Sequence, residues 1–252
     1  VEHLGAPNEQ VALVSDGFDD HPRDILLLPG DSPNFVANGL YVFGWPHSDF
    51  SAPQIQDHLA FLERVMSADV HVFFYGGPYG SSPSTVPLHS ESKLRQLAEI
   101  LSHERFQQFD MAFGHSFGGN ILLSHALFHR EKPFRCYIIS HSALNFSDEK
   151  QREILSVDEY WRTLINSMEG EMERRTLNFA SILENYTIPI KTNILLVNGN
   201  NDPLVPQKSN TAIVESLRNV VERIDFRIWN SGHTLVPSLV QVVDYNNYNC
   251  AK

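Results

Sequence analysis

The chain of 252 residues is long enough for one large α/β domain, and its 42% hydrophobic content suffices for a sizeable core. Its 19 basic and 30 acidic residues leave a net charge of −11, without the clusters of lysine and arginine that neutralise phosphates. We therefore expect neither nucleic acid nor an anionic membrane surface as a partner. No apolar stretch approaches the roughly 18 to 20 residues that cross a bilayer, so no integral membrane segment is predicted.

The two cysteines are Cys136, within an apolar run, and Cys250, near the end of the chain. They do not indicate a disulfide framework and favour a reducing compartment, so we expect a cytoplasmic protein. The chain begins at Val1 instead of Met, which leaves room for a segment upstream. If the protein were secreted, the sequons at Asn145 and Asn185 would be acceptors for glycosylation.

Six short apolar runs follow one another along the chain, and each of them stops at a turn. Runs of this length are typical of strands that are buried on both faces of a parallel sheet. They cover residues 25–28, 70–75, 109–113, 136–140, 193–199 and 223–229.

Segments with the apolar period of a helix lie between these runs, the clearest at 55–66, 94–101 and 213–220. Because strands and helices alternate, the pattern predicts an open α/β sheet that crossover helices cover on both sides. The ligand crevice of such a sheet lies at the carboxyl ends of its strands. Functional residues are therefore expected in the loops that follow each run.

Residues 144–191 separate two of the runs by far more than one crossover helix requires, and their pattern is helical. Trp161 and Leu164 belong to an apolar face within this stretch. One interpretation is an ordinary excursion packed on the sheet, and the other is a lid whose side chains line an apolar pocket. We predict a core domain of residues 1–143 and 192–252, with 144–191 as an inserted helical lid.

The stretch FGHSFGG, residues 113–119, places Ser116 directly after an apolar run and directly before an apolar helical segment. A serine at the tip of a sharp turn between strand and helix has strained backbone angles, and bulkier neighbours two positions away would collide. Gly114 and Gly118 occupy those two positions. The turn would lift the hydroxyl into the crevice, beside the positive end of the helix that follows. This context favours a nucleophile over a glycine turn that only packs a helix.

A serine hydroxyl is a weak nucleophile and needs a histidine base, usually oriented by a carboxylate. Asp202 is the sole acid of the loop that follows the run 193–199. His233 lies in the loop after the last run, where we expect Gly232 to free the backbone so that the ring projects into the crevice. Each signal is weak by itself, but the chain order Ser116, Asp202, His233 makes the set specific.

These three motifs, GHSFGG, GNNDPLVP and SGHTLVP, resemble the nucleophile, acid and histidine loops of the α/β-hydrolase superfamily. The resemblance extends from Ile25 to about residue 247. It implies an α/β-hydrolase fold: a mostly parallel eight-stranded sheet with helices on both faces and a small helical cap, the segment 144–191, after the sixth strand. It also implies acyl transfer to Ser116, followed by attack of water on the acyl-enzyme.

The oxyanion hole is where the sequence departs from the superfamily pattern. The resemblance implies one backbone N–H donor from Phe117 and a second from Asp31, in a loop where Pro29 replaces the usual histidine. An ionised carboxylate beside a forming oxyanion would oppose the reaction. Either the side chain of Asp31 points away, or Ser32 supplies the donor, or the chemistry is unusual.

The predicted activity is that of a serine hydrolase that cleaves a carboxylic ester or thioester with an apolar acyl group. His141, Trp161 and Leu164 are predicted to contribute to the substrate pocket. Substitution at a carbonyl requires no cofactor and no metal, and the partner expected is a small-molecule acyl substrate. The oligomeric state is not predicted.

Two alternatives use the same three residues or the same pocket. One is hydrolysis of a carbon–carbon bond, or a biosynthetic cyclisation or elimination, which the unusual loop at Pro29 would suit. The other is a binding protein that keeps the fold and uses the pocket for recognition alone.

Overall fold

The computed structural model describes residues 109, 111–129, 134–157, 162 and 177–233, together with the backbone of four further strands, 10–14, 23–28, 38–42 and 69–74. Helices and strands alternate from residue 111 onwards, with two described helices between the strands at 136–140 and 190–199. The strands are β1 (Gln10–Val14), β2 (Arg23–Leu28), β3 (Asn38–Val42), β4 (Asp69–Phe74), β5 (Met111–His115), β6 (Cys136–Ser140), β7 (Ile190–Gly199) and β8 (Val221–Trp229). The helices are α1 (Phe117–Phe128), α2 (Glu149–Leu155), α3 (Phe179–Glu184) and α4 (Gln207–Leu217).

These strands form one sheet in the order β1-β2-β4-β3-β5-β6-β7-β8. In this order, all neighbouring strands from β4 through β3 to β8 are parallel to each other. The strand β2 runs antiparallel to both of its neighbours, so its expected place in a parallel array was wrong. An apolar run shows that a strand is buried but not the direction of the strands beside it. The predicted α/β class with a mostly parallel sheet is confirmed.

The strands β1 and β3, which are both only five residues long, are not among the predicted apolar runs. The first, QVALV, has a single alanine at its centre, and the second, NGLYV, begins with Asn-Gly, a dipeptide typical of turns. Four consecutive apolar residues do occur at each place, 11–14 and 40–43, so both strands could have been predicted from the sequence. Both strands are required, since β3 lies between β4 and β5 and completes the parallel array.

Among the residues whose burial is described, the core lies around α1, β6 and β7. All residues of α1 from Phe117 to Leu127 are buried, which explains why this helix is apolar all round instead of amphipathic. The strand β8 differs, because most of its side chains are at least partly exposed and Ile228 is 43% exposed. Its predicted burial on both faces was wrong, since it pairs only with β7 among the described strands.

Cys136, at the start of β6, is fully buried and disulfide-bonded. The expectation that the cysteines remain reduced was therefore wrong. The only other cysteine of the sequence, Cys250, lies outside the described residues. A pair of cysteines so far apart in sequence carries no spacing signal, because only the fold decides whether they approach each other.

The segment that follows β6 is fixed by buried amide side chains. Asn120 of α1 donates to the carbonyl of Ala143 over 2.5 Å. Asn210 of α4 donates to the carbonyl of Ser142 over 2.7 Å and accepts the N–H of Leu144 over 3.1 Å. Residues 142–144, at the entrance to the long insertion, are therefore held between α1 and α4 at the carboxyl end of the sheet.

The insertion 144–191 includes α2 and α3, whose apolar residues Leu155, Phe179 and Leu183 belong to the core cluster. The helix α2 begins at Asp148, whose carboxylate caps it by accepting the N–H of Gln151 over 2.9 Å. The predicted pocket residues of the insertion, Trp161 and Leu164, lie outside the described part of the chain. The division into core and lid stays a prediction.

Candidate active site

Ser116 connects β5 to α1 in a strained turn. Its backbone angles, φ 53° and ψ −122°, lie in a region that residues other than glycine rarely adopt. A Cβ atom on Gly114 would lie 2.5 Å from the carbonyl oxygen of Gly118, so the chain can turn this tightly only with glycine at 114. The steric role predicted for this glycine is confirmed.

The hydroxyl of Ser116 does not cap the helix that it precedes. A serine before a helix usually accepts an N–H of the first turn, but Ser116 makes no such side-chain bond. Its backbone is fixed instead, since its N–H donates to the carbonyl of Ser140 over 2.8 Å and its carbonyl accepts the N–H of Gly119 over 3.1 Å. The Oγ atom of Ser116 is therefore not occupied by the helix and can contact another side chain.

The structure brings the three predicted loops together at the carboxyl end of the sheet. Nε2 of His233 lies 3.1 Å from Oγ of Ser116. On the other side of the ring, Nδ1 lies 2.9 Å from Oδ2 and 3.1 Å from Oδ1 of Asp202. A hydroxyl, an imidazole and a carboxylate therefore form one continuous chain of hydrogen bonds.

The carboxylate of Asp202 is fully buried, whereas the side chain of His233 is 22% exposed. Oδ1 of Asp202 accepts the backbone N–H of Leu204 over 2.8 Å and that of Val205 over 3.0 Å. These bonds occupy one oxygen and leave Oδ2 to the histidine. The orientation of the carboxylate is therefore set by the backbone of its own loop.

The two loops that carry Asp202 and His233 touch at Gly199. A Cβ atom there would lie 2.3 Å from the carbonyl oxygen of Ser231. At Gly232 the nearest such contact is 3.8 Å, to the carbonyl of Asn201, and the backbone has no unusual φ. The expected role of Gly232 was wrong, because the close approach that demands glycine occurs at Gly199.

Three histidine rings, those of His115, His141 and His233, lie close to one another at the site. The centroid of His115 lies 5.2 Å from that of His233 and 5.4 Å from that of His141. The ring of His141 meets that of His233 edge-on at 6.1 Å. His141 was predicted near the crevice, and the structure places it beside the histidine of the hydrogen-bonded chain.

His141 is completely buried, and serines contact both of its ring nitrogens. Nδ1 lies 2.7 Å from Oγ of Ser140, and Nε2 lies 3.1 Å from Oγ of Ser231. Burial lowers the pKa of His141 to about 4; the negative charge of Asp202 opposes this shift and His233 adds to it. The ring is therefore neutral near pH 7.

The remaining predicted site residues are placed only in part. Phe117 is the first residue of α1, so its backbone N–H lies at the amino end of the helix beside Ser116. Asp31, the other predicted donor, lies outside the described residues. Sequence reasoning missed Ser140 and Ser231, which both bond to His141; Ser140 is its neighbour in the chain, whereas Ser231 is 90 residues away.

Within the described part of the chain, no helix has both the length and the apolar character that a membrane span needs. The same residues contain no group of three or more His, Cys, Asp or Glu side chains arranged to hold a metal ion.

Several solved structures share this fold. The esterase Pf2001 of Pyrococcus furiosus has a TM-score of 0.64 and 13% sequence identity, and the match covers 97% of this chain and 91% of that one. The Thermogutta terrifontis esterase Est2 has a TM-score of 0.62 and 13% identity over 96% and 93% of the two chains. For EstE1, a carboxylesterase cloned from a metagenomic library, the values are 0.61 and 14% over 96% and 85%.

No curated protein matches the chain in sequence. The prolyl oligopeptidase family matches residues 101–246, which is more than half of the chain and includes Ser116, Asp202 and His233. The structural neighbours are α/β-hydrolases, as the motifs implied. The chain belongs to the prolyl oligopeptidase family, within the α/β-hydrolase superfamily, and is a serine hydrolase.

Proposed function

We propose that the protein hydrolyses a carboxylic ester or thioester with an apolar acyl group, through an acyl-enzyme on Ser116. The observation that carries the proposal is the 3.1 Å contact between Nε2 of His233 and a hydroxyl held on a strained turn. Strain at such a position persists only where the surrounding structure enforces it, and it is frequent at reactive sites.

In the first step, Oγ of Ser116 attacks the carbonyl carbon and its proton passes to Nε2 of His233. This transfer requires the neutral tautomer that carries its proton on Nδ1. The buried carboxylate of Asp202 accepts that Nδ1–H over 2.9 Å, so it selects the tautomer and stabilises the imidazolium that forms.

The tetrahedral intermediate places a negative charge on the former carbonyl oxygen. We assign one donor to the backbone N–H of Phe117, at the amino end of a helix of 12 residues, where the helix dipole also favours negative charge. We assign the second donor to the backbone N–H of Asp31. Removing one such donor costs roughly 10²- to 10³-fold in rate.

His233 then protonates the leaving alcohol or thiol, which departs as the carbonyl reforms. A water molecule repeats the sequence on the acyl-enzyme: His233 removes its proton, the hydroxide adds to the carbonyl, and Ser116 leaves with the proton from Nε2. The products are a carboxylic acid and an alcohol or thiol. Every proton in this cycle passes through the one ring nitrogen that faces Ser116.

An ester as substrate is supported by the names of several structural neighbours, which include a carboxylesterase and a monoacylglycerol lipase. We assign the apolar part of the pocket to the insertion 144–191, with Trp161 and Leu164 as lining residues. His141 is the third predicted pocket residue. Because its buried ring bonds to Ser140 and Ser231, we assign it to the support of His233 instead of to contact with the substrate.

An oligopeptide is the competing substrate, because the matching family is named for prolyl oligopeptidases. The same nucleophile and base would cleave an amide. Carbon–carbon bond cleavage and pure ligand binding are compatible with the same three residues, and both predict no turnover of esters or anilides. A cytoplasmic location, which rested on reduced cysteines, loses its basis because Cys136 is disulfide-bonded.

The test compares p-nitrophenyl esters of two to twelve carbon acyl chains with prolyl peptide p-nitroanilides, on the wild type and on Ser116→Ala. We expect ester turnover that rises with chain length and disappears in Ser116→Ala, and slow or no anilide cleavage. Anilide cleavage with a higher kcat/KM than any ester would replace the proposal by a peptidase. A folded wild type that turns over neither would favour the carbon–carbon or binding alternative.

The pocket assignment has its own test. Trp161→Ala and Leu164→Ala should shift the preferred acyl chain length while the short esters keep their kcat. An unchanged preference in both variants would remove these residues from the pocket.

A further inference from the structure

The end of β6 contacts the segments that carry Ser116, Asp202 and His233. The carbonyl of Ser140 accepts the N–H of Ser116 over 2.8 Å. The N–H of His141 donates to the carbonyl of Val197 over 2.8 Å, on the strand that leads to Asp202. Nε2 of His141 contacts Oγ of Ser231, two residues before His233.

His141 holds this position in an unfavourable backbone conformation. Its φ of 52° is one of only two positive values among the described residues other than glycine, and Ser116 has the other. A left-handed conformation at a residue with a Cβ costs on the order of 1 kcal/mol or more and is kept where neighbouring contacts enforce it. Such strain directs attention to what the side chain does.

The side chain of His141 completes a path from the nucleophile to the base. The path runs from Ser116 to Ser140 through the backbone, from Ser140 to His141 over 2.7 Å, and from His141 to Ser231 over 3.1 Å. Since the ring is neutral, one nitrogen donates to a serine oxygen and the other accepts a serine hydroxyl. A serine can fill either role, so both bonds can form in a single tautomer.

We propose that His141 is a positioning residue, which fixes the His233 ring against Ser116 by linking Ser140 to Ser231. The inference rests on the proposed function, because the contact that it controls is the one between Nε2 of His233 and Oγ of Ser116. His141 has no part in proton transfer under this proposal. Its neutral ring also adds no positive charge beside the imidazolium of His233.

Loss of the contact between His141 and Ser231 should lower the reaction rate and leave the stability of the fold nearly unchanged. Ser231 is held by other bonds as well, since its N–H donates to the carbonyl of Trp229 and its own carbonyl accepts the N–H of Asn201. Loss of the hydroxyl would therefore loosen the loop without unfolding it. A misplacement of about 1 Å between reacting groups can cost on the order of 10²-fold in rate.

Ser231→Ala, His141→Leu and His141→Gln test the proposal by two measurements, ester kinetics and the rate of labelling with a fluorophosphonate. Ser231→Ala removes only the hydroxyl, and Gln at 141 retains one donor and one acceptor. Ser209→Ala is the control, because Ser209 is also buried but its hydroxyl bonds to no described residue.

We expect Ser231→Ala and His141→Leu to lower kcat and the labelling rate by about 10- to 100-fold with KM unchanged. The double variant that combines Ser231→Ala with His141→Leu should be no slower than His141→Leu alone, because both changes break the same path. His141→Gln should recover most of the rate, and Ser209→Ala should match the wild type.

Labelling of Ser231→Ala at the wild-type rate would overturn the proposal, and so would additive losses in the double variant. If His141→Leu does not fold, Ser231→Ala and His141→Gln decide the matter. Failure of the proposed function is distinguishable, since the wild type itself would then not turn over esters, whereas failure of the present inference leaves wild-type ester turnover intact.

Discussion

Replacement of Asp202 by asparagine exchanges one carboxylate oxygen of the site for an NH₂ group. Oδ1 of Asp202 accepts two backbone N–H groups, from Leu204 and Val205, while Oδ2 faces Nδ1 of His233. The oxygen of an asparagine would stay with the two N–H donors. Its NH₂ group would then occupy the place of Oδ2.

An NH₂ group at that place has a direct consequence for His233. Nδ1 must accept a hydrogen bond instead of donating one, so the ring proton moves to Nε2. A protonated Nε2 cannot take the proton of Ser116, from which it is 3.1 Å away. We therefore expect Asp202→Asn to lower kcat by on the order of 10⁴-fold, or roughly 5 kcal/mol of transition-state stabilisation.

The assay is steady-state hydrolysis of a p-nitrophenyl ester together with thermal unfolding followed by circular dichroism. The melting temperature should change little, because the backbone N–H groups keep their acceptor. Asp225→Asn is the matched control, since Asp225 lies on β8 and pairs with Arg227 over 3.0 Å, outside the hydrogen-bonded chain of the site. A kcat for Asp202→Asn within a few fold of the wild type would refute the reasoning and require another carboxylate.

Two further predictions concern packing and pH. Gly199→Ala should lower the free energy of unfolding by about 1 to 3 kcal/mol, because its Cβ would press on the carbonyl of Ser231. Gly232→Ala should cost less, since no atom would lie so close to its Cβ. Urea unfolding of both variants checks this difference, and equal losses would contradict it. Burial and the nearby His129 lower the pKa of His125 to about 3. Below pH 6.5 the unfolded chain therefore binds a proton that the folded chain does not. The free energy of unfolding should fall by roughly 1.4 kcal/mol per pH unit as the pH drops from 6.5 towards 3. His125→Asn should flatten this slope in urea titrations, and an unchanged slope would assign it to other groups.

The nucleophile, acid and histidine loops could be predicted because each carries a local signal. Ser116 is flanked by glycines between an apolar strand and an apolar helix, and Asp202 and His233 follow strand patterns in the expected order. Such signals depend on residues a few positions apart, which the sequence displays directly.

Features that depend on distant contacts could not be predicted. His141 and Ser231 are 90 residues apart, and no local pattern indicates that they meet. Gly199 is required because another loop passes over it, and this cannot be inferred from its own neighbours. The exposed edge at β8 and the antiparallel β2 likewise result from the order of strands in the sheet.

The most direct test of the triad is the site and rate of covalent labelling by a fluorophosphonate, followed by intact mass and peptide mapping. We predict one adduct per chain, on Ser116, absent in Ser116→Ala and slowed by at least about 10³-fold in His233→Ala. A folded wild type that gains no adduct, or gains it on another residue, would contradict the claim that His233 activates Ser116.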